Sequence, residues 1–406
     1  MNLIQIIKNE IIEGYKQTKW LPLLTAYAAL SGIIGPGFHY PLIHVPFIIL
    51  IIFVAFRSSL KISISSLLLL LYLPINILVT QPDKAFYPWM RLALLAIVFI
   101  FLSPMLGGQA IGFYRQKILK ATLIICVLLG LGSFVCYFIG VNYMFNQYDG
   151  SAIFDYQAST GVFGGLTFQS ISLGMICGLG ILYLMYSALQ HEGKSKKGYY
   201  LLIAVLAMTI LISASRSAFL SVIMGVLVML YQVNKKGGKF IKVLMGIILV
   251  LMLTYPLWDS FASGMMEKTI SGSELGTYGS RTQKWTARMT EFSSNPVFGI
   301  GFASVDKNID DVGAGGVVEP GSSWLTILSM TGIIGFLLFV VTLLKPCNYL
   351  KRHVSPYNAL LSGLLAFITT HMISEGYIFA GGSSLCFISW LIFGCCNDAM
   401  YLQERK

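Results

Sequence analysis

The sequence predicts an all-α polytopic membrane protein of about twelve transmembrane helices. Two observations carry that expectation. Of 406 residues, 56% are hydrophobic and only 11% charged, with a mean hydropathy of +0.75. A soluble domain carries roughly 25% charged residues. A larger core cannot absorb the difference, because single cores stop growing near ~250–300 residues. Second, stretches such as 62–80, 120–141 and 240–258 hold no charge beyond Lys120 and Lys242 near their starts, and each approaches the roughly 20 apolar residues a spanning helix needs. The runs are continuous rather than alternating, which excludes a membrane barrel.

In chain order, residues 1–18 mix Lys8, Glu10, Glu13 and Lys16 with an apolar stripe of Leu3, Ile6, Ile7, Ile11, Ile12 and Tyr15. That pattern suits a helix lying on a membrane surface, or a polar extension of the first span, and shows no cleavable signal peptide. Spans are expected at 19–36, 41–56, 62–80, 88–107, 120–141, 166–189, 199–214, 217–233, 240–258, 322–345, 356–374 and 382–400. The pair 199–214 and 217–233 is separated only by Ser215-Arg216. The seven cysteines fall in or near apolar spans without CxxC spacing and read as small packing residues, with neither a disulfide framework nor a zinc site.

Charge sets the expected orientation. With the N-terminus inside, 20 of the 28 Lys and Arg residues, Arg115 among them, lie in cytoplasmic segments, while 12 of the 17 acids lie on the opposite side. This follows the positive-inside rule. The net charge of +11 is thereby an orientation signal and not a nucleic-acid footprint. Both termini are expected in the cytoplasm. The chain reads as a single integral membrane domain, with a long extracytoplasmic loop at 259–321 containing short helical structure and a second loop at 142–165. No internal repeat supports an inverted-repeat transporter.

Chemistry concentrates on that outer side. Arg216, in Ser213-Ala214-Ser215-Arg216-Ser217, is an ionisable group at the border of two apolar stretches, a costly placement that marks function or a snorkelling boundary. Residues 280–292 read as a helix, with Ser280 and Gln283 as a capping box and Asn295-Pro296 beyond its end. Helical spacing places Arg281, Lys284 and Arg288 on one face and Trp285, Met289 and Phe292 beside it. Three cations on one face suit a polyanion such as a diphosphate, which Arg binds in bidentate fashion; lipid head groups are the alternative. Glu319 precedes a span and reads either as a general base or as an acid favourable to a helix N-terminus. His371 and Glu375, four apart at the outer end of a span, share a helix face. They can bond sugar hydroxyls, or pair with Arg216 or Arg91; for His371 the structural role is favoured.

Four segments carry a resemblance. They are Gly161-Val162-Phe163-Gly164-Gly165-Leu166-Thr167 with Ser170 and Gly174; Ser215-Arg216-Ser217; Arg281…Trp285 leading to Asn295-Pro296-Val297-Phe298-Gly299-Ile300-Gly301; and Ser322-Ser323-Trp324-Leu325 with Thr331-Gly332-Ile333-Ile334-Gly335. In this order they resemble the O-antigen ligase and O-antigen polymerase superfamily, GT-C-like membrane transferases that take a glycan from undecaprenyl diphosphate. The resemblance implies an inner-membrane glycosyltransferase without cofactor or metal. Carried over, Arg216, Arg281 and Arg288 would bind the diphosphate, Arg216 and Arg281 as catalytic groups; Lys284, Glu375 and His371 are expected to bind substrate from their own placement. Its partners would be an undecaprenyl-diphosphate-linked oligosaccharide, the lipid bilayer, and a chain-length regulator and flippase of the same pathway. Ligases resemble one another in a His shortly before the Gly-Ile-x-Gly span. Here that stretch reads Glu319-Pro320-Gly321-Ser322-Ser323, similar to the carboxylate of peptidoglycan glycan-chain polymerases. The resemblance therefore implies a polymerase with Glu319 as base. A ligase acting on a lipid A core or protein acceptor is the second reading, and a non-enzymatic polysaccharide or lipid transporter the third.

Overall fold

The computed structural model describes residues 21–30, 33, 44–49, 61–142, 163–190, 195–234, 279–307 and 321–402. Within them the chain is a helical bundle: α1 (Leu21–Leu30), α2 (Ile64–Thr80), α3 (Pro88–Leu102), α4 (Gln109–Phe138), α5 (Ser170–Gln190), α6 (Ser195–Ile212), α7 (Arg216–Val233), α8 (Gly279–Ser294), α9 (Ser323–Arg352), α10 (Pro356–Ser374) and α11 (Ser384–Leu402). A two-residue antiparallel pair, β1 (Lys61–Ile62) with β2 (Leu106–Gly107), ties the start of α2 to the segment after α3. Six helices among the described residues are long and apolar enough to cross a membrane, and α2 is a shorter apolar helix. The expected span at 240–258 lies outside the described residues, as do most of 41–56 and the ends of 19–36.

Two helices differ from expectation. The span expected at 120–141 begins at Gln109 and runs 30 residues, about 45 Å at 1.5 Å per residue. Residues 109–119 stay helical because Ile111, Tyr114, Ile118 and Leu119 bury one stripe and because Arg115, read from sequence as a loop cation, is fully buried. Arg115 Nη1 meets both Asp398 oxygens at 3.0 Å, and its other donors reach the carbonyls of Phe101, Ser103 and Leu106 at 2.7–2.8 Å. The span expected at 322–345 continues to Arg352 and contains a break at Gly332, where φ is 63° and ψ −169°. α6 and α7 are separate helices, as expected. The chain turns between them at Ala214 with φ 50°, and Ser213 Oγ bonds the Ile210 carbonyl at 2.8 Å.

The break in α9 is filled by the segment after α8. A broken helix at membrane depth leaves carbonyls that need new donors. Ile300 N donates to Ser329 O at 2.9 Å, Gly301 N to Met330 O at 3.1 Å, and Tyr72 Oη to Thr331 O at 2.7 Å. In return Ile333 N donates to Pro296 O at 2.9 Å. Asn76 of α2 pins the same segment, donating to Phe298 O at 2.6 Å and accepting from Phe302 N at 2.7 Å. Backbone meets backbone so closely that a Cβ at Gly332 would collide with Val297 O, and one at Gly299 with Ser329 O. Both glycines also have positive φ, which a side chain disfavours. The Asn-Pro-x-x-Gly-x-Gly and Thr-Gly-Ile-Ile-Gly segments are therefore two halves of one packed joint.

Candidate functional site

The site begins where α7 starts. Arg216 is its first residue and is exposed, while Ser215 before it is buried. The Ser213–Ser215 turn rests on α5 at Gly174, where a Cβ would stand 2.7 Å from the Ser215 Cβ. The first and second sequence segments are thus packed together, as are the third and fourth.

Glu375 joins these two pairs. It caps the C-terminal end of α10 and is 6% exposed. Its Oε1 accepts from Ser217 Oγ at 3.2 Å and from Arg281 Nη2 at 2.6 Å. One carboxylate oxygen therefore draws the Ser215-Arg216-Ser217 turn and the α8 helix to the same point. Its backbone is fixed as well: Ser323 N and Ser323 Oγ both donate to Glu375 O, at 2.9 and 2.7 Å. Ser322 caps α9 by accepting from Leu325 N, and donates its hydroxyl proton to Met372 O at 3.3 Å. Arg281 is thus a partner of Glu375 that the sequence reading, which offered Arg216 or Arg91, did not name.

α8 begins at Gly279, one residue before the Ser280 cap expected. Its first turns lean on Gly321: Arg281 Nη1 and Trp285 Nε1 donate to Gly321 O at 3.4 and 3.2 Å. A Cβ at Gly321 would fall 2.8 Å from the Lys284 Cβ. Arg281, Lys284 and Trp285 therefore gather at one place. Arg288 does not join them. It shares the Arg281 face but sits two turns on, about 10 Å along the axis, where it is fully buried with Nη2 3.0 Å from Glu291 Oε1. The same Glu291 oxygen accepts from Asp306 N at 2.9 Å, so this pair holds the turn after α8. His371 is also fully buried. It stacks on Phe367, with centroids 5.8 Å apart and planes at 10°, and its Nδ1 lies 3.1 Å from Tyr377 Oη. Glu319 and the glycines at 313–316 lie outside the described residues.

Sequence reading missed Ser217, Ser322 and Ser323 as the groups that fix Glu375. The available signal was the recurrence of serines at helix ends, at 213, 215 and 217 and at 322 and 323, on the side where Glu375 ends a span. It also assigned Arg288 to the anion face from angle alone, without the axial separation that gives it another partner.

A cavity of about 660 Å³ adjoins the site. The strap 376–383, which follows Glu375 directly, forms one wall; α3, α5 and α9 supply the others.

The architecture defines a polytopic helical membrane protein with a charged cluster at one end of its bundle. Residues 201–340 match the family model described as O-antigen ligase. The match takes in α7, α8 and the α9 joint, hence Arg216, Arg281 and Gly332, and it supports the O-antigen ligase and polymerase superfamily. Comparison with curated proteins finds no match.

Proposed function

We propose that the protein is a membrane glycan polymerase of the bacterial cytoplasmic membrane, joining undecaprenyl-diphosphate-linked repeat units on the extracytoplasmic face. The observation that carries the reading is the single Glu375 oxygen shared by Ser217 and Arg281. It brings the Arg216 turn beside the Arg281 guanidinium, although the two lie on different helices. Two arginines brought to one end of the bundle suit a diphosphate, whose oxygens each accept charge-assisted bonds.

The chemistry follows from that placement. The acceptor hydroxyl oxygen forms a bond to the anomeric carbon of the donor sugar. The bond from that carbon to the diphosphate oxygen breaks, and undecaprenyl diphosphate leaves with the electron pair. Arg216 and Arg281 stabilise the charge that develops on the leaving group, an effect realised most strongly in the transition state. Lys284, against Gly321, adds positive potential. The acceptor proton passes to a carboxylate base, assigned to Glu319, two residues along the chain from the Gly321 carbonyl that Arg281 and Trp285 hold. Glu375 orients Arg281.

The test is a reconstituted elongation assay with the lipid-linked repeat unit. Arg216→Ala, Arg281→Ala and Glu319→Gln should each abolish lengthening while leaving a folded protein. Normal chain lengths from Glu319→Gln would remove the base assignment. The matched family is described as O-antigen ligase, and the match is compatible with either activity. Transfer to a lipid A core or protein acceptor, with no elongation of the lipid-linked unit, would establish the ligase reading.

A further inference from the structure

The cavity beside the charged cluster has the size and chemistry of a second substrate seat. Its volume of about 660 Å³ falls within the ~300–1,000 Å³ of small-molecule sites. Its wall is mixed. Met90, Arg91 and Leu94 face it from the first turns of α3, Gln169 and Ser172 from the start of α5, and Tyr377 from the strap. Both helices present their N-terminal ends to this space, a placement that favours an anion. Arg91 adds a full charge.

A second, independent observation points to an occupant. Ser172 is 1% exposed, and its hydroxyl has no hydrogen-bond partner. A buried hydroxyl left unpaired is destabilising, and a ligand oxygen in the cavity would relieve that cost. The same stretch of α5 carries Gly174, on which the Ser215-Arg216 turn rests. The strap is held flat on α3 at Gly381, where a Cβ would stand 2.6 Å from Leu95 N. The elements that build the cavity are therefore those that hold Arg216 and Glu375, and the chain passes from one site to the other in a single residue, Glu375 to Gly376.

We infer that this cavity seats the phosphorylated head of a second lipid-linked saccharide, with Arg91 on its phosphate, Ser172 and Gln169 on sugar or phosphate oxygens, and the apolar Met90 and Leu94 beside its lipid. The inference rests on the polymerase reading, which requires two lipid-linked substrates at once. It assigns the cluster at Arg281 to one and the Arg91 cavity to the other.

Native mass spectrometry of the full chain, released from nanodiscs and titrated with undecaprenyl diphosphate, tests it. The wild type should bind two molecules, Arg281→Ala one, Arg91→Ala one, and the double variant none. Loss of one charge-assisted contact should weaken the affected site roughly tenfold or more. Leu94→Trp keeps Arg91 but fills the cavity, and should also leave one molecule bound; thermal unfolding near that of wild type shows that each variant is folded. Two molecules on both Arg91→Ala and Leu94→Trp would overturn the inference while leaving the Arg281 site intact. Loss at the Arg91 variants with none at Arg281→Ala would uphold the cavity and remove the diphosphate assignment instead. One-for-one displacement of the second molecule by phosphatidylglycerol would show a general phospholipid head-group site and overturn the inference.

Discussion

Two arginine–carboxylate pairs stand at opposite ends of the bundle. Arg115 and Asp398 are both fully buried, and the guanidinium is surrounded by one carboxylate and three carbonyls. Asp398 lies 14 residues along α11 from Ser384, about 21 Å from the end where the Glu375 strap enters. At that other end, Arg281 is 23% exposed and Glu375 8%. Arg281 lies 2.6 Å from the Glu375 carboxylate, and exposed Arg216 precedes Ser217, which bonds the same carboxylate oxygen. The first pair closes on itself; the second is partly open and gathers further cations. The same two residue types thus serve a structural lock in one place and a candidate binding face in the other, and the exposure of the guanidinium separates the two.

The largest expected effect tests the lock. Arg115→Ala leaves a buried carboxylate without its cation and should cost ~3–5 kcal/mol, read as a large fall in thermal unfolding temperature in detergent. The paired replacement Arg115→Met with Asp398→Leu should recover most of that loss, because apolar residues of similar volume often substitute well for buried ion pairs. If the double variant is no more stable than the single, the carbonyl bonds rather than the ion pair hold this end.

Arg281→Ala should behave in the opposite way. Turnover should fall by roughly 10²–10³, the range for loss of one transition-state donor, with a smaller stability loss than at Arg115, because the Arg281 side chain is partly exposed and Ser217 still donates to Glu375. A large stability loss without a proportionate rate loss would make Arg281 a second lock and erase the contrast. Between these extremes, Gly332→Ala forces a side chain at φ 63° onto the Val297 carbonyl. It should destabilise by ~1–3 kcal/mol and, by shifting the joint beneath α8, lower activity as well. Activity at the wild-type level would show that the joint does not position Arg281.

The smallest effect belongs to the exposed pair Asp83–Lys307, 2.6 Å apart. The hydrogen bond from Lys307, then that from Ala85 N, holds the Asp83 carboxyl below its ordinary 3.8. A depressed carboxylate contributes stability that is fully present above its unfolded pKa and lost as pH falls through the folded value. Asp83→Ala should therefore match the wild type below that window and differ only slightly in unfolding temperature at neutral pH; a large gap at pH 7 would give this pair a role that its exposure does not suggest.

Much of the bundle was legible because apolar length and punctuation are local signals. The spans at 62–80, 166–189, 199–214, 217–233, 356–374 and 382–400 correspond to α2, α5, α6, α7, α10 and α11 within a few residues, and the α8 helix was readable from its spacing and its Asn-Pro end. The early start of α4 was not legible, since it depends on Asp398, far along the chain, neutralising Arg115. The break at Gly332 was equally hidden: a Thr-Gly pair inside an apolar run signals a kink only once Pro296, Ile300 and Gly301 arrive to satisfy the opened carbonyls. At the site, Arg216, Arg281, Lys284 and Glu375 were named from cost and spacing, and the structure gathers them. The direction of Arg288 was not accessible, because helical angle says nothing of depth along the axis.

The central claim is that the Arg216–Arg281 cluster receives a lipid-linked diphosphate. Its most direct test is the affinity of the purified chain for undecaprenyl diphosphate, compared between wild type and Arg281→Ala at equal unfolding temperature. The account predicts that the tight component of binding weakens by roughly tenfold to a hundredfold, the worth of a charge-assisted contact of ~1.5–3 kcal/mol. Unchanged affinity in a folded Arg281→Ala variant would contradict it.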